Sequence, residues 1–209
     1  GQGGRGAVLR LSTVLHAGDQ LRFLIGQRPS RCNGGGGASV CWLVRGGVSE
    51  MVAIAGGGGS QDASLTEDGI DSQTKDGIVV PSSGGRGGQG GKGQNGQGGQ
   101  GGAGWLGGSR TWEDAANLDG PKALSDSPAP GYRYNPQLKE DSYGGLGGGG
   151  AEWYASGGGG GYSGGGGAEC YGRSGGGGSY LAAHFGVREI EPRSAANQGA
   201  GYAKLKRRM

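Results

Sequence analysis

The chain has 209 residues, a formal charge of +3 and 58 glycines, where average usage would give about 15. Runs of four glycines and only seven prolines break the Gly-X-Y period and exclude collagen. No apolar run reaches the roughly 18 residues of a membrane span, and the near-balanced charge excludes a polycationic nucleic-acid tail.

Residues 1–55 hold three compact apolar segments, Leu21 to Ile25, Val40 to Val44 and Met51 to Ile54. Their length and β-branched content predict strands. His16-Ala17-Gly18-Asp19 predicts a turn ahead of the first. Cys32 and Cys41 flank Gly34 to Gly37, read as a turn between two extended pieces that a disulfide can bridge. Three pairings are open among Cys32, Cys41 and Cys170, and so is the reading of three reduced thiols. With Cys32 and Cys41 joined, Cys170 is left as a thiol for a bond outside the chain.

Residues 56–80 form a polar excursion with Asp62, Glu67, Asp68, Asp71 and Asp76. Their spacing matches no calcium loop, and they read as a solvated stretch. Glycine tracts follow at 84–108 and 144–178, separated by an insert at 109–143. A buried backbone must satisfy every N–H and C=O. Tracts without side chains approach closely enough to supply each other's partners, as three-residue-per-turn extended helices do. A bundle of such polyglycine-type helices across 56–178 is therefore expected. Trp105, Trp153, Tyr154, Tyr162, Tyr171 and Tyr180 interrupt the tracts as candidate caps. The tail, 179–209, alternates apolar and polar residues and predicts one or two closing strands, Lys204 and Lys206 included.

Motifs of chemistry are sparse. Gly-x-Ser-x-Gly occurs at Ser163 and Ser174, but a nucleophile elbow needs a strand before the serine and a helix after it. His16 and His184 have no ligand spacing with the cysteines, so no metal site and no cofactor are expected. The Gly-x-Gly patterns near Arg86 and Lys92 lack the following Gly-Lys-Ser/Thr of a phosphate loop. Arg45-Gly46-Gly47 and Arg86-Gly87-Gly88 look like RNA-tail repeats, but there are too few of them for nucleic-acid binding.

The order of elements resembles the glycine-rich extracellular domain of the anaplastic lymphoma kinase and leukocyte tyrosine kinase receptors. The matching pieces are Gly3-Gly4-Arg5-Gly6, Leu24-Ile25-Gly26-Gln27, Gly34 to Gly37 before Val40, and Ala53 to Gly59. Residues 98–105 ending in Trp105, residues 157–167 around Tyr162, and the 199–205 segment complete the series. That family carries more cysteines, and its upstream strands have no counterpart here. The resemblance implies one mainly β domain over 1–209: jelly-roll-like strands at 1–55 and 179–209, a glycine-helix bundle between them, and little α-helix. It also implies a non-enzymatic, extracellular or cell-surface scaffold that binds a protein ligand and is not inserted in a membrane. Recognition is expected from Trp112, Tyr132 and Tyr134 in the insert, since loops and aromatics carry contacts. The alternative reading is a structural subunit of an extracellular filament, in which neighbouring copies join at edge strands and through Cys170.

Overall fold

A computed structural model describes residues 4–30, 33–60, 73–74, 84–93, 99–109, 118–126, 128–135, 137–151, 155–168, 172–182 and 199–206. Within these residues the protein is mainly β, with no helix and with two sheets. The strands are β1 (Gln20–Leu24), β2 (Ser39–Arg45), β3 (Val48–Ala55), β4 (Gln73–Thr74), β5 (Leu118–Asp119), β6 (Tyr132–Asn135), β7 (Glu140–Tyr143) and β8 (Gly178–Leu181). The larger sheet runs β1-β2-β3-β8-β4 and the smaller β5-β6-β7. All pairings are antiparallel except β4 with β8.

The three apolar segments of the N-terminal region become β1, β2 and β3, as their composition dictates. Gly46 and Gly47, at φ of 56° and 82°, join β2 to β3 in the two-residue turn whose twist matches antiparallel strands. Arg86-Gly87-Gly88 repeats the arrangement, with φ of 58° and 89° at its glycines and a Gln89 N–H bond to the Arg86 carbonyl. Both Arg-Gly-Gly sequences are thus tight turns. Arg45 spends its guanidinium on Asp19 at 2.6 Å, and Asp19 in turn accepts from the His16 amide. That fork holds the Asp19 carboxyl down at about 2, Arg45 contributing most and His16 next.

Cys41 pairs with Ala53, whereas Trp42 pairs with Met51, so Val52 is an extra residue in β3. This bulge brings Met51 and Ile54 to one face and Val52 and Ala53 to the other. On the first face Ala38, Val40, Ile54 and Leu124 are buried, with Trp42, Trp105, Tyr162 and Tyr180 packed on them. On the second lie Cys41, Leu43, Val52 and Ala53, with Leu9, Leu11, Leu21 and Leu181 alongside.

Below the first face the glycine tracts knit together chiefly by backbone hydrogen bonds. Gly157, Gly158 and Gly159 donate to Asn33, Gln100 and Gly175; Gly160, Gly161 and Tyr162 then donate to Gly36, Ala103 and Gly178. Each partner tract comes round again after three residues, advanced by three. Gly34 to Gly37 belongs to this lattice. Gly35 bonds Gly150 and Gly36 bonds Gly58, so the segment is a backbone-bonded strut and not the turn its composition suggested. A methyl group on Gly160 would press into the Gly147 and Gly148 backbone, closer than real Cβ atoms ever come. Seryl hydroxyls fill the remaining demands: Ser60 donates to the Asn33 carbonyl at 2.6 Å and Ser174 to the Gly157 carbonyl at 2.6 Å.

Cys41 is a buried free thiol, so of the readings left open the pairing with Cys32 is not the one it adopts, and burial pushes its pKa up to about 11. Cys32 and Cys170 lie outside the described residues. Residues 201–206 form no strand, contrary to their alternating pattern. Gly201 alone in that segment takes a described backbone bond, to the Gly26 carbonyl. Among the described residues no helix is long and apolar enough to cross a membrane.

Candidate functional site

The insert was expected to be loop, yet its second half folds into the β6–β7 hairpin with β5 along its flank. Register decides what the hairpin shows to solvent. Tyr132 lies opposite Tyr143 and Tyr134 opposite Asp141, so these four share one face. Arg133 and Ser142 occupy the other, where Ser142 is fully buried against the protein. Outward, Tyr134 remains 38% and Tyr143 42% exposed.

The tyrosine face is ordered by its own contacts. The Tyr132 and Tyr143 rings sit 5.2 Å apart, tilted by 41°, within the range of a favourable aromatic pair. Tyr132 Oη donates to Asp141 Oδ1 at 2.9 Å. That bond, above all, raises the Tyr132 pKa. At the hairpin tip Lys139 takes φ of 52° and Leu138 is exposed.

Two anchors fasten the hairpin to the lattice. The buried Gln100 side chain donates from Nε2 to the Tyr132 carbonyl and accepts from the Ala151 amide at Oε1, both at 3.0 Å. At the other strand's end, Tyr143 N–H donates to Ser30 Oγ at 2.8 Å, and Ser30 N–H returns to the Tyr143 carbonyl at 2.9 Å. Gly131 and Gly144 flank the strands and bond each other directly, Gly144 N–H to the Gly131 carbonyl. The tyrosines are therefore carried on backbone whose ends are tied to Gln100, Ala151 and Ser30.

Of the three aromatics expected to bind, the fold brings Tyr132 and Tyr134 onto one face, and Trp112 lies outside the described residues. Sequence reasoning missed Tyr143 and Asp141. The usable signal was the alternation Tyr132-Arg133-Tyr134 facing Asp141-Ser142-Tyr143 across a short turn, a hairpin pattern masked by the prolines around it.

Ser163 and Ser174, the serines of the two Gly-x-Ser-x-Gly matches, are wholly buried. Ser163 Oγ accepts from Gly88 N–H and Ser174 Oγ from Ser60 N–H, so both act as lattice fasteners. No protein-family model and no curated protein matches the sequence.

Proposed function

We propose that the chain is a non-enzymatic, extracellular recognition module, similar to the glycine-rich domain of the anaplastic lymphoma kinase and leukocyte tyrosine kinase receptors. In this reading the glycine tracts are polyglycine-type helices, and the larger sheet is the visible part of a jelly-roll-like unit. The threefold recurrence of hydrogen-bond partners along residues 157–162 supports the helices. The observation that carries the function is the tyrosine face of the β6–β7 hairpin, anchored at Gln100 and Ser30. Tyrosines held in place lose little entropy when a partner covers them, which is how aromatic anchors come to dominate protein contacts.

The test is capture of secreted proteins on the immobilised chain, repeated with the Tyr134→Ala/Tyr143→Ala variant. A protein retained by the parent and lost at least about tenfold by the variant supports the reading, as expected of a hot-spot pair. Equal retention by both overturns it. The structural-subunit reading keeps one observation in its favour: β1 stands at the edge of the larger sheet, where another copy can pair. Concentration-dependent polymers in light scattering would put that reading first.

A further inference from the structure

The tyrosine face of the β6–β7 hairpin has a narrower chemistry than recognition in general. Tyr132 stands beside Tyr143 and Tyr134 beside Asp141, so the patch is roughly 5 Å across the strands and 7 Å along them. Three corners are rings and the fourth is a carboxylate. The register sets Asp119 of β5 next to Tyr132 as well. Arg133 and Glu140 fall on the opposite face by alternation, and Lys139 precedes β7 in the turn. The strand positions of this face therefore carry acid and rings but no base.

Asp141 is exposed and lies between two exposed rings, Tyr134 across the ladder and Tyr143 two residues along its own strand. It spends Oδ1 on the Tyr132 hydroxyl, and among the described residues Oδ2 takes no hydrogen bond. A carboxylate beside the electron-rich faces of aromatic rings is an environment for a cation. A guanidinium suits it best, because it is flat enough to lie on a ring while its N–H fork reaches the carboxylate. Its methylene stem covers the neighbouring ring. An anion would meet Asp141 head on, and an apolar side chain would strip water from that carboxylate without replacing the lost bonds. We infer that the patch is a clamp for one arginine side chain of the protein partner, with the guanidinium on Asp141 between the Tyr134 and Tyr143 rings. This inference rests on the recognition reading and narrows it to a partner chemistry.

The full chain, with isotope-labelled tyrosine, is titrated with N-acetyl-Gly-Arg-Gly-amide and with the same peptide carrying citrulline, the uncharged isostere of arginine. Nuclear magnetic resonance reads the Tyr134 and Tyr143 rings. The arginine peptide is expected to bind at least about fivefold tighter, the combined worth of a ring contact and an exposed ion pair. Asp141→Asn keeps the shape and is expected to cut that preference by about threefold. Tyr134→Leu/Tyr143→Leu is expected to lose the binding, and Tyr134→Phe/Tyr143→Phe, which restores the rings, to recover most of it. Equal affinity for the two peptides overturns the inference, as does an undiminished preference in Asp141→Asn. So do ring shifts no larger than that of Tyr202, an exposed tyrosine outside the patch. Larger ring shifts with methyl glucoside than with the arginine peptide overturn it in favour of a carbohydrate. A secreted protein captured through Tyr134 and Tyr143, yet retained in full by Asp141→Asn, sinks the arginine clamp and leaves the recognition reading standing. Equal capture by the parent and by Tyr134→Ala/Tyr143→Ala sinks the recognition reading itself.

Discussion

In the larger sheet, neighbouring strands are selected by their side chains: Val40 and Ile54 sit opposite each other and bury together, and one residue of slippage would turn them to the wrong face. In the glycine lattice, neighbours are selected by the absence of side chains. Gly160 reaches Gly36, and Gly57 reaches Gly160, because no β-carbon holds the tracts apart. The two regions share a boundary at Trp42, Trp105, Tyr162 and Tyr180, whose rings pack between them; Tyr162 and Tyr180 stack at 4.6 Å. The same methyl group thus has opposite value on the two sides of that boundary. In the sheet it is core. In the lattice it is an obstruction wherever another tract's backbone lies against it, as at Gly160.

The energetics differ accordingly. Burying an aliphatic side chain contributes about 1.5–3 kcal/mol, so the sheet gains from each apolar residue it covers. A lattice glycine gains about 0.5–1.5 kcal/mol net per hydrogen bond against about 1–2 kcal/mol of backbone entropy. The lattice therefore hovers near balance residue by residue and depends on the sheet, and on every tract being present together.

The sharpest way to break the comparison is to add one methyl group to the lattice and remove several from the sheet. Gly160→Ala is expected to cost about 3 kcal/mol or more, because the obstructing atoms are backbone carbonyls that cannot rotate away. Ile54→Ala, which removes three heavy atoms, is expected to cost about 2–5 kcal/mol. Urea unfolding of both variants checks this; a Gly160→Ala chain as stable as the parent would mean the lattice is looser than the hydrogen bonds require. A smaller effect is expected at the join between lattice and hairpin. Gln100→Leu leaves the Tyr132 carbonyl and Ala151 amide without that partner, at about 1–3 kcal/mol. Hydrogen exchange is expected to quicken across 132–143 before it does so in β2 and β3.

The two remaining expectations concern reactivity and pH. With Cys32 and Cys170 replaced by serine, Cys41 is expected to resist iodoacetamide at pH 8 until the chain is unfolded. A thiol raised to about 11 is only about one part in a thousand thiolate there. Tyr132, whose folded pKa is raised by Asp141, stabilises the hairpin below the ordinary tyrosine value of about 10. That contribution is lost as pH climbs through the folded value. Ultraviolet titration of the parent against Asp141→Asn is expected to show the Tyr132 phenol ionising earlier in the variant.

The strands β1 to β3 were legible because their apolar residues come in strand-length blocks bounded by glycine. The tail at 201–206 was misleading for a related reason: alternation signals a strand only if a neighbour supplies the backbone bonds, and there only Gly201 has one described. Tyr132 and Tyr134 were legible as exposed aromatics in an insert, but their grouping with Tyr143 needed a register that local composition does not encode.

What the sequence determined by itself is the division of labour: apolar blocks for a sheet, and glycine tracts fit only for backbone-to-backbone packing. Composition is local, and these are local consequences of which residues carry a β-carbon. Only the tertiary structure decided which tract meets which, that Gly34 to Gly37 is a backbone-bonded strut, and that Val52 bulges. Glycine carries no side chain to name its partner. The pairing of tracts is therefore settled by chain connectivity and by the simultaneous closure of the hydrogen bonds, quantities that belong to the whole fold.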